Sequence, residues 1–242
     1  MKLPMTPLAQ RRWSRRRLAT LGVLGVGSLY ALAMLWARWA YVGHTGFRFL
    51  SWNLFLAWLP LVFALWLDER ERRGAGRLML VGVTMAWLAF WPNAPYILTD
   101  FVHLAGRSPN VPVPLWYDIV LIAVFAWNGL LLGFASLAIF HRVATRRFGA
   151  ARGWGFVALA SLLGGFGIYL GRFERWNTWD VLARPTELLA SVVMPVVNPI
   201  AHPKVWGVTL SIGGFLFLSY AALAVLRPLP VRCCTAGGVG DR

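Results

Sequence analysis

Six stretches of this 242-residue chain, near 18–37, 49–67, 78–98, 115–140, 153–171 and 205–226, are long and apolar enough to cross a bilayer. A hydrocarbon core about 30 Å thick takes about 20 residues of helix, and within it every backbone N–H and C=O must be satisfied inside the protein. Helices meet that demand within one segment, so the expected fold is all-α: a polytopic transmembrane helix bundle of about six spans. A composition of 58% hydrophobic and only 14% charged residues fits that class and not a soluble domain. The chain then divides into a basic segment, 1–17, a single transmembrane domain, 18–226, and a short tail, 227–242.

A formal net charge of +15 would suggest a nucleic-acid partner in a soluble protein. Here the cations cluster in short loops between apolar runs, so they are read as topology signals and no nucleic acid is expected. With the N-terminus placed inside, 17 of the 24 Lys and Arg fall on the inner side and 7 on the outer. Both termini are therefore expected in the cytoplasm, with the first apolar run retained as a span. The apolar stretch 188–197, bounded by prolines, is too short to cross and is expected to be interfacial or re-entrant.

The third span is unusual. Residues 78–91 supply fourteen apolar positions, about 21 Å of helix, and then run into WPNAPYILTDFVH. Pro92 and Pro95 each remove a backbone donor and disfavour helical geometry in the residue before, so this span is expected to break there. Irregular backbone at such a depth survives only against protein or trapped water, which marks the segment as a candidate site. Elsewhere, Gly129 with Gly133 and Gly167 with Gly171 form G-x-x-x-G pairs, which predict close contact between spans four and five. Trp91 is expected in an outer aromatic belt, and Asp68, Glu69 and Glu71, set among arginines, in a solvated charge run.

With the topology fixed, the polar residues other than the loop arginines collect on the outer face: Asn53, Asn93, Tyr96, Thr99, Asp100, His103, Asp118, Arg172, Arg175, Asn177 and Asp180. Asp100 and His103 are three apart and share a face if the segment is helical. They can serve as a local cap, as an oriented general base, or as ligands of one ion with Asp118 or Asp180. Asp118 lies in the first turn of span four, where a carboxylate meets the helix dipole, or it supplies a second catalytic carboxylate. Arg172 and Arg175 could clamp a phosphate or carboxylate group, with Asn93, Tyr96, Asn177 and Asp180 orienting it, or could pair with neighbouring acids. Asn128, near mid-membrane, is expected to face other helices. No sequence motif calls for a cofactor or a resident metal.

WPNAPYILTDFVHL, Trp116-Tyr117-Asp118 and GIYLGRFERWNTWDVLARP resemble DUF1361, a family of bacterial and archaeal membrane proteins of unknown function, over about residues 49–226. The resemblance implies a polytopic fold in a bacterial cytoplasmic membrane and no particular reaction. Three functions remain open. The first is binding or transport of a small polar or anionic solute or a lipid headgroup through the outward polar cluster. The second is an outer-leaflet enzyme using Asp100, His103 and Asp118. The third is a structural subunit held to an oligomer or membrane-complex partner.

Overall fold

The computed structural model describes residues 7–43, 45–107, 111–176 and 183–226. Those residues are helical with no strand: α1 (Pro7–Val42), α2 (Phe49–Arg72), α3 (Arg77–Phe90), α4 (Asn93–Tyr96), a 3-10 helix (Ile97–Leu104), α5 (Leu115–Phe148), α6 (Ala150–Arg172), α7 (Pro185–Val197) and α8 (Pro203–Val225). Six helical stretches are long and apolar enough to cross a membrane, with α3, α4 and the 3-10 helix together making one of them. The protein is a multi-pass membrane protein. Alternation of the six spans returns the chain to the end of the bundle where α1 begins; that end is called proximal below and the opposite end distal.

Composition explains what each helix buries. On α2, Leu50, Leu54, Ala57, Leu61, Ala64 and Leu67 are buried at steps of three and four, a stripe that packs against α5. α5 is the most buried span and sits at the centre. Asn128, halfway along it, faces inward as expected: its Nδ2 donates to Ser28 Oγ on α1 at 2.8 Å, and Trp58 Nε1 on α2 donates to the same oxygen at 3.1 Å. Large side chains such as Leu29, Trp36, Phe55 and Trp127 are exposed on the outside of the bundle, where a bilayer solvates them. α7, thirteen residues and about 20 Å long, is too short to cross and leaves Leu189, Val193 and Met194 exposed, in line with an interfacial segment.

The α-helix of the third span breaks where the prolines predict, between Phe90 and Asn93. The residues before the prolines nevertheless stay helical: Trp91 has φ −52° and ψ −44°, and Ala94 lies within α4. The span thus tightens and continues. Carbonyls left over by the break are picked up locally: Trp91 O, which loses the Pro95 donor, accepts from Ala94 N–H at 3.3 Å, while Asn93 Nδ2 donates to Phe90 O at 3.1 Å and Thr99 Oγ1 to Tyr96 O at 2.7 Å. Eight residues of 3-10 helix rise about 16 Å, more than α geometry would give, and so help complete a crossing that α3 leaves short.

α5 and α6 do touch, as expected, but the glycine pairs have other partners. They do not join α5 to α6 directly; each lines a slot that holds the proline segment between those helices. A Cβ on Gly129 would lie 2.6 Å from Ala94 O, and one on Gly133 3.2 Å from Trp91. From the other side, a Cβ on Gly167 would lie 2.3 Å from Pro92 Cγ, and one on Gly171 3.1 Å from Tyr96. Small residues let a backbone approach a backbone, and the partner here is α4. Trp91 fills the slot's floor, fully buried, with Nε1 donating to Ala160 O at 2.8 Å and its ring stacked on Trp87 at 5.1 Å. It is a core residue, not a member of an interfacial belt.

The acidic run at the end of α2 also departs from expectation. Glu69 pairs with Arg73 in solvent, but Asp68 and Glu71 are buried. Asp68 lies 3.5 Å from Arg17, 3.2 Å from Arg72 and 3.5 Å from Arg146, and Glu71 lies 3.6 Å from both Arg146 and Arg147. The group ties α1, α2 and α5 together at the proximal end. Asp68→Asn is expected to cost only about 1 kcal/mol in a detergent unfolding assay, because the three arginines, 26–44% exposed, can return to water. A loss several times larger would show that they cannot.

Candidate functional site

At the distal end the 3-10 helix lies between α2 and α6 and presents Thr99, Asp100 and His103. With three residues per turn, positions i and i+3 eclipse, so Asp100 and His103 share a face as their spacing predicts. Asp100 is fully buried. Its Oδ2 accepts from Asn53 Nδ2 on α2 at 2.9 Å, and its Oδ1 accepts from Arg172 Nη2 at the end of α6. His103 Nε2 stands 3.9 Å from Asp100 Oδ1, beyond hydrogen-bond reach. Arg172 stands between them.

Arg172 is held on every side. Its Nε donates to Thr99 Oγ1 at 2.9 Å, its Nη1 faces His103 Nε2 at 3.2 Å, and its guanidinium lies 4.4 Å from the centre of the Tyr96 ring. An imidazole that accepts at Nε2 carries its proton on Nδ1, so the arginine also selects the tautomer. Phe49 packs on the other side of the imidazole, ring centres 4.4 Å apart. One short segment, Tyr96 to His103, therefore fixes a cation borne by the distant α6, and the positions of its partners follow from the proline slot that seats α4.

Beside this group is a cleft of about 570 Å³ lined by Tyr96, Val102, His103, Gly106, Gly171, Arg172 and Arg175. Arg175 reaches it because the chain turns back after α6: Arg175 takes a left-handed φ of 58°, and Trp176 N–H then donates to Leu170 O at 3.1 Å. Arg175 is exposed and, among the described residues, has no ion pair or hydrogen bond. The cleft thus offers one compensated guanidinium, one uncompensated guanidinium, an imidazole and a phenol ring.

Of the residues expected to form the site, Tyr96, His103, Arg172 and Arg175 line this cleft, and Asp100 lies buried behind it on Arg172. Asn93 does not line it, because its amide is used on Phe90 O. Asp118 sits in the first turn of α5 as expected, but its carboxylate is engaged elsewhere. Arg38 Nε donates to Oδ1 at 2.7 Å and Nη2 to Oδ2 at 3.3 Å, while Arg107 Nε donates to Oδ2 at 2.7 Å. A carboxylate clamped by two guanidiniums is poorly placed to act as a base or to complete an ion site with Asp100. Asn177 and Asp180 lie outside the described residues. Among the described residues no three His, Cys, Asp or Glu side chains converge as a metal site would require.

Sequence reasoning missed Asn53 and Thr99 as direct partners within this group, and it missed Arg38 and Arg107 as the partners of Asp118. No local spacing signals a contact across 47 or 80 positions.

A family model described as a protein of unknown function, DUF1361, matches residues 52–219. The chain belongs to that family. No curated protein and no solved structure matches it. The DUF1361 match contains every residue of the cleft, together with Asn53, Thr99, Asp100, Arg107 and Asp118; Arg38, on α1, lies before it. Resemblance noted in the motifs is thereby shown, over slightly narrower limits than 49–226.

Proposed function

We propose that the distal cleft binds the anionic group of a small solute or a lipid headgroup, and that this end of the bundle faces outward from a bacterial cytoplasmic membrane. The observation that supports the reading is that a rigid, charge-compensated Arg172 lines the same cleft as Arg175, which has no ion pair among the described residues. Arg172 shapes the wall and Arg175 supplies net charge. The volume suits a small ligand, and two guanidiniums near each other favour phosphate or carboxylate over a neutral molecule. Orientation rests on the sequence count, in which 17 of the 24 Lys and Arg fall in segments on the N-terminal side of the spans.

Inorganic phosphate and dihexanoyl phosphatidylglycerol are the probes, each titrated against the full chain in detergent with the thermal midpoint as readout. Arg175→Gln should leave the ligand-free midpoint unchanged and weaken binding about tenfold or more, the scale of one charge-assisted hydrogen bond. Phosphate alone sufficing points to a soluble anion; a requirement for the short-chain lipid points to a headgroup. An Arg175→Gln protein that keeps the full ligand-induced shift sinks the proposal.

One observation favours a second reading, an enzyme at the same place: the His103 side chain is 40% exposed to the cleft while its Nε2 backs onto Arg172 and Asp100. A turnover lost in His103→Ala while phosphate affinity is retained would select it.

A further inference from the structure

We propose a second ligand site, for an anionic phospholipid, in the groove between α3, α5 and the start of α6 at the proximal end. The groove encloses about 620 Å³. Its walls include Leu80, Val81, Met85, Phe140, Val143 and Phe156, and Arg77 and Arg147 stand where it meets the chain ends of α3 and α5. No carboxylate lines it. Thr84, within it, spends its hydroxyl on Leu80 O at 2.7 Å, which leaves an apolar trough.

Val81 and Met85 are 52% and 63% exposed, so the trough opens sideways toward surrounding hydrocarbon and is reachable by lipid tails. The two arginines lie at opposite-running helix ends, the first residue of α3 and the last turn of α5, which is headgroup depth for spans of this length. Arg147 is shared with Glu71 at 3.6 Å, whereas Arg77 is exposed and enters none of the hydrogen bonds or ion pairs among the described residues. A soluble anion would use the cations and ignore the trough. A transmembrane helix of a partner would use the trough and leave the cations facing nothing. A molecule with acyl chains and a phosphate uses both, and a net negative headgroup is preferred because a zwitterionic one brings its own cation beside the arginines.

The test is native mass spectrometry of the full chain in detergent micelles, titrated with dioleoyl phosphatidylglycerol and separately with dioleoyl phosphatidylcholine. The wild type should hold phosphatidylglycerol about fivefold more tightly, the scale of one interfacial basic residue. Arg77→Gln should bring the two affinities together without altering phosphatidylcholine binding, and Val81→Trp, which fills the trough, should weaken both lipids. Arg77 is exposed, so its substitution leaves the fold intact and the comparison interpretable. Equal affinities in the wild type, a preference untouched by Arg77→Gln, or displacement of the lipid by inorganic phosphate at matched concentration would each overturn the proposal.

Discussion

Asp118→Asn is expected to lower the thermal midpoint in detergent by about 10 °C, corresponding to about 3–5 kcal/mol for removing one partner of a buried charge group. Arg38 is 3% exposed in its side chain and Arg107 14%, so neither guanidinium can return to water when the carboxylate goes. Arg38 Nη1 is already buried without a hydrogen-bond partner, which leaves no slack. The Arg38 guanidinium also lies 4.5 Å from the centre of the Phe47 ring, so a neutralised Asp118 would strand a cation between an aromatic ring and two helices. Replacing all three together, Arg38→Met and Arg107→Met with Asp118→Leu, should recover more than half of the loss, because an apolar group leaves no buried guanidinium unpaired and avoids the desolvation that the ions carry. If Asp118→Asn melts within a couple of degrees of wild type, the two guanidiniums do not depend on the carboxylate. Asp68 and Asp118 are both fully buried, and exposure of their arginines decides which loss is large.

Gly167→Val is the second large expected effect, about 2–3 kcal/mol of destabilisation from overpacking, together with loss of anion binding at the distal cleft. A β-carbon there would lie 2.3 Å from the Pro92 ring, and the proline ring cannot rotate away as a flexible side chain could. Moving α4 outward carries Tyr96, Asp100 and His103 with it, since all three hang from the segment that follows Pro92. Gly155→Val on the same helix is the control, because nothing lies within 4 Å of a β-carbon at that position. Equal midpoints and equal phosphate shifts in the two variants would show that the slot is loose and the cleft independent of it.

The helices were legible because hydrocarbon thickness imposes their length, and the break at Pro92 was legible because a missing donor is a local fact. The Asp100–His103 face followed from spacing within one element. What sequence spacing could not reveal was rotation: which side of α5 and α6 the glycines occupy depends on neighbours that pack from far along the chain. G-x-x-x-G marks a close approach without naming the partner, and here the partner is a proline-bearing segment instead of a straight helix. Asp68 and Glu71 were a readable signal passed over. They continue the buried stripe of α2, four and three residues on from Ala64 and Asp68, so periodicity places them inward while their charge suggests solvent. The pairings Arg172 with Asp100 and Arg38 with Asp118 span 72 and 80 positions, and only the assembled bundle brings them together.

The 3-10 helix from Ile97 to Leu104 is a fine-pitched screw set at the mouth of a coarser one. Rewound to α pitch, its eight residues would shorten by about 4 Å and His103 would turn about 60° relative to Asp100. That single motion would swing the imidazole away from Arg172 and withdraw one wall of the cleft. The distal end therefore contains a handle, the last part of the third span, whose rotation changes the shape of the cleft without requiring the other five spans to move.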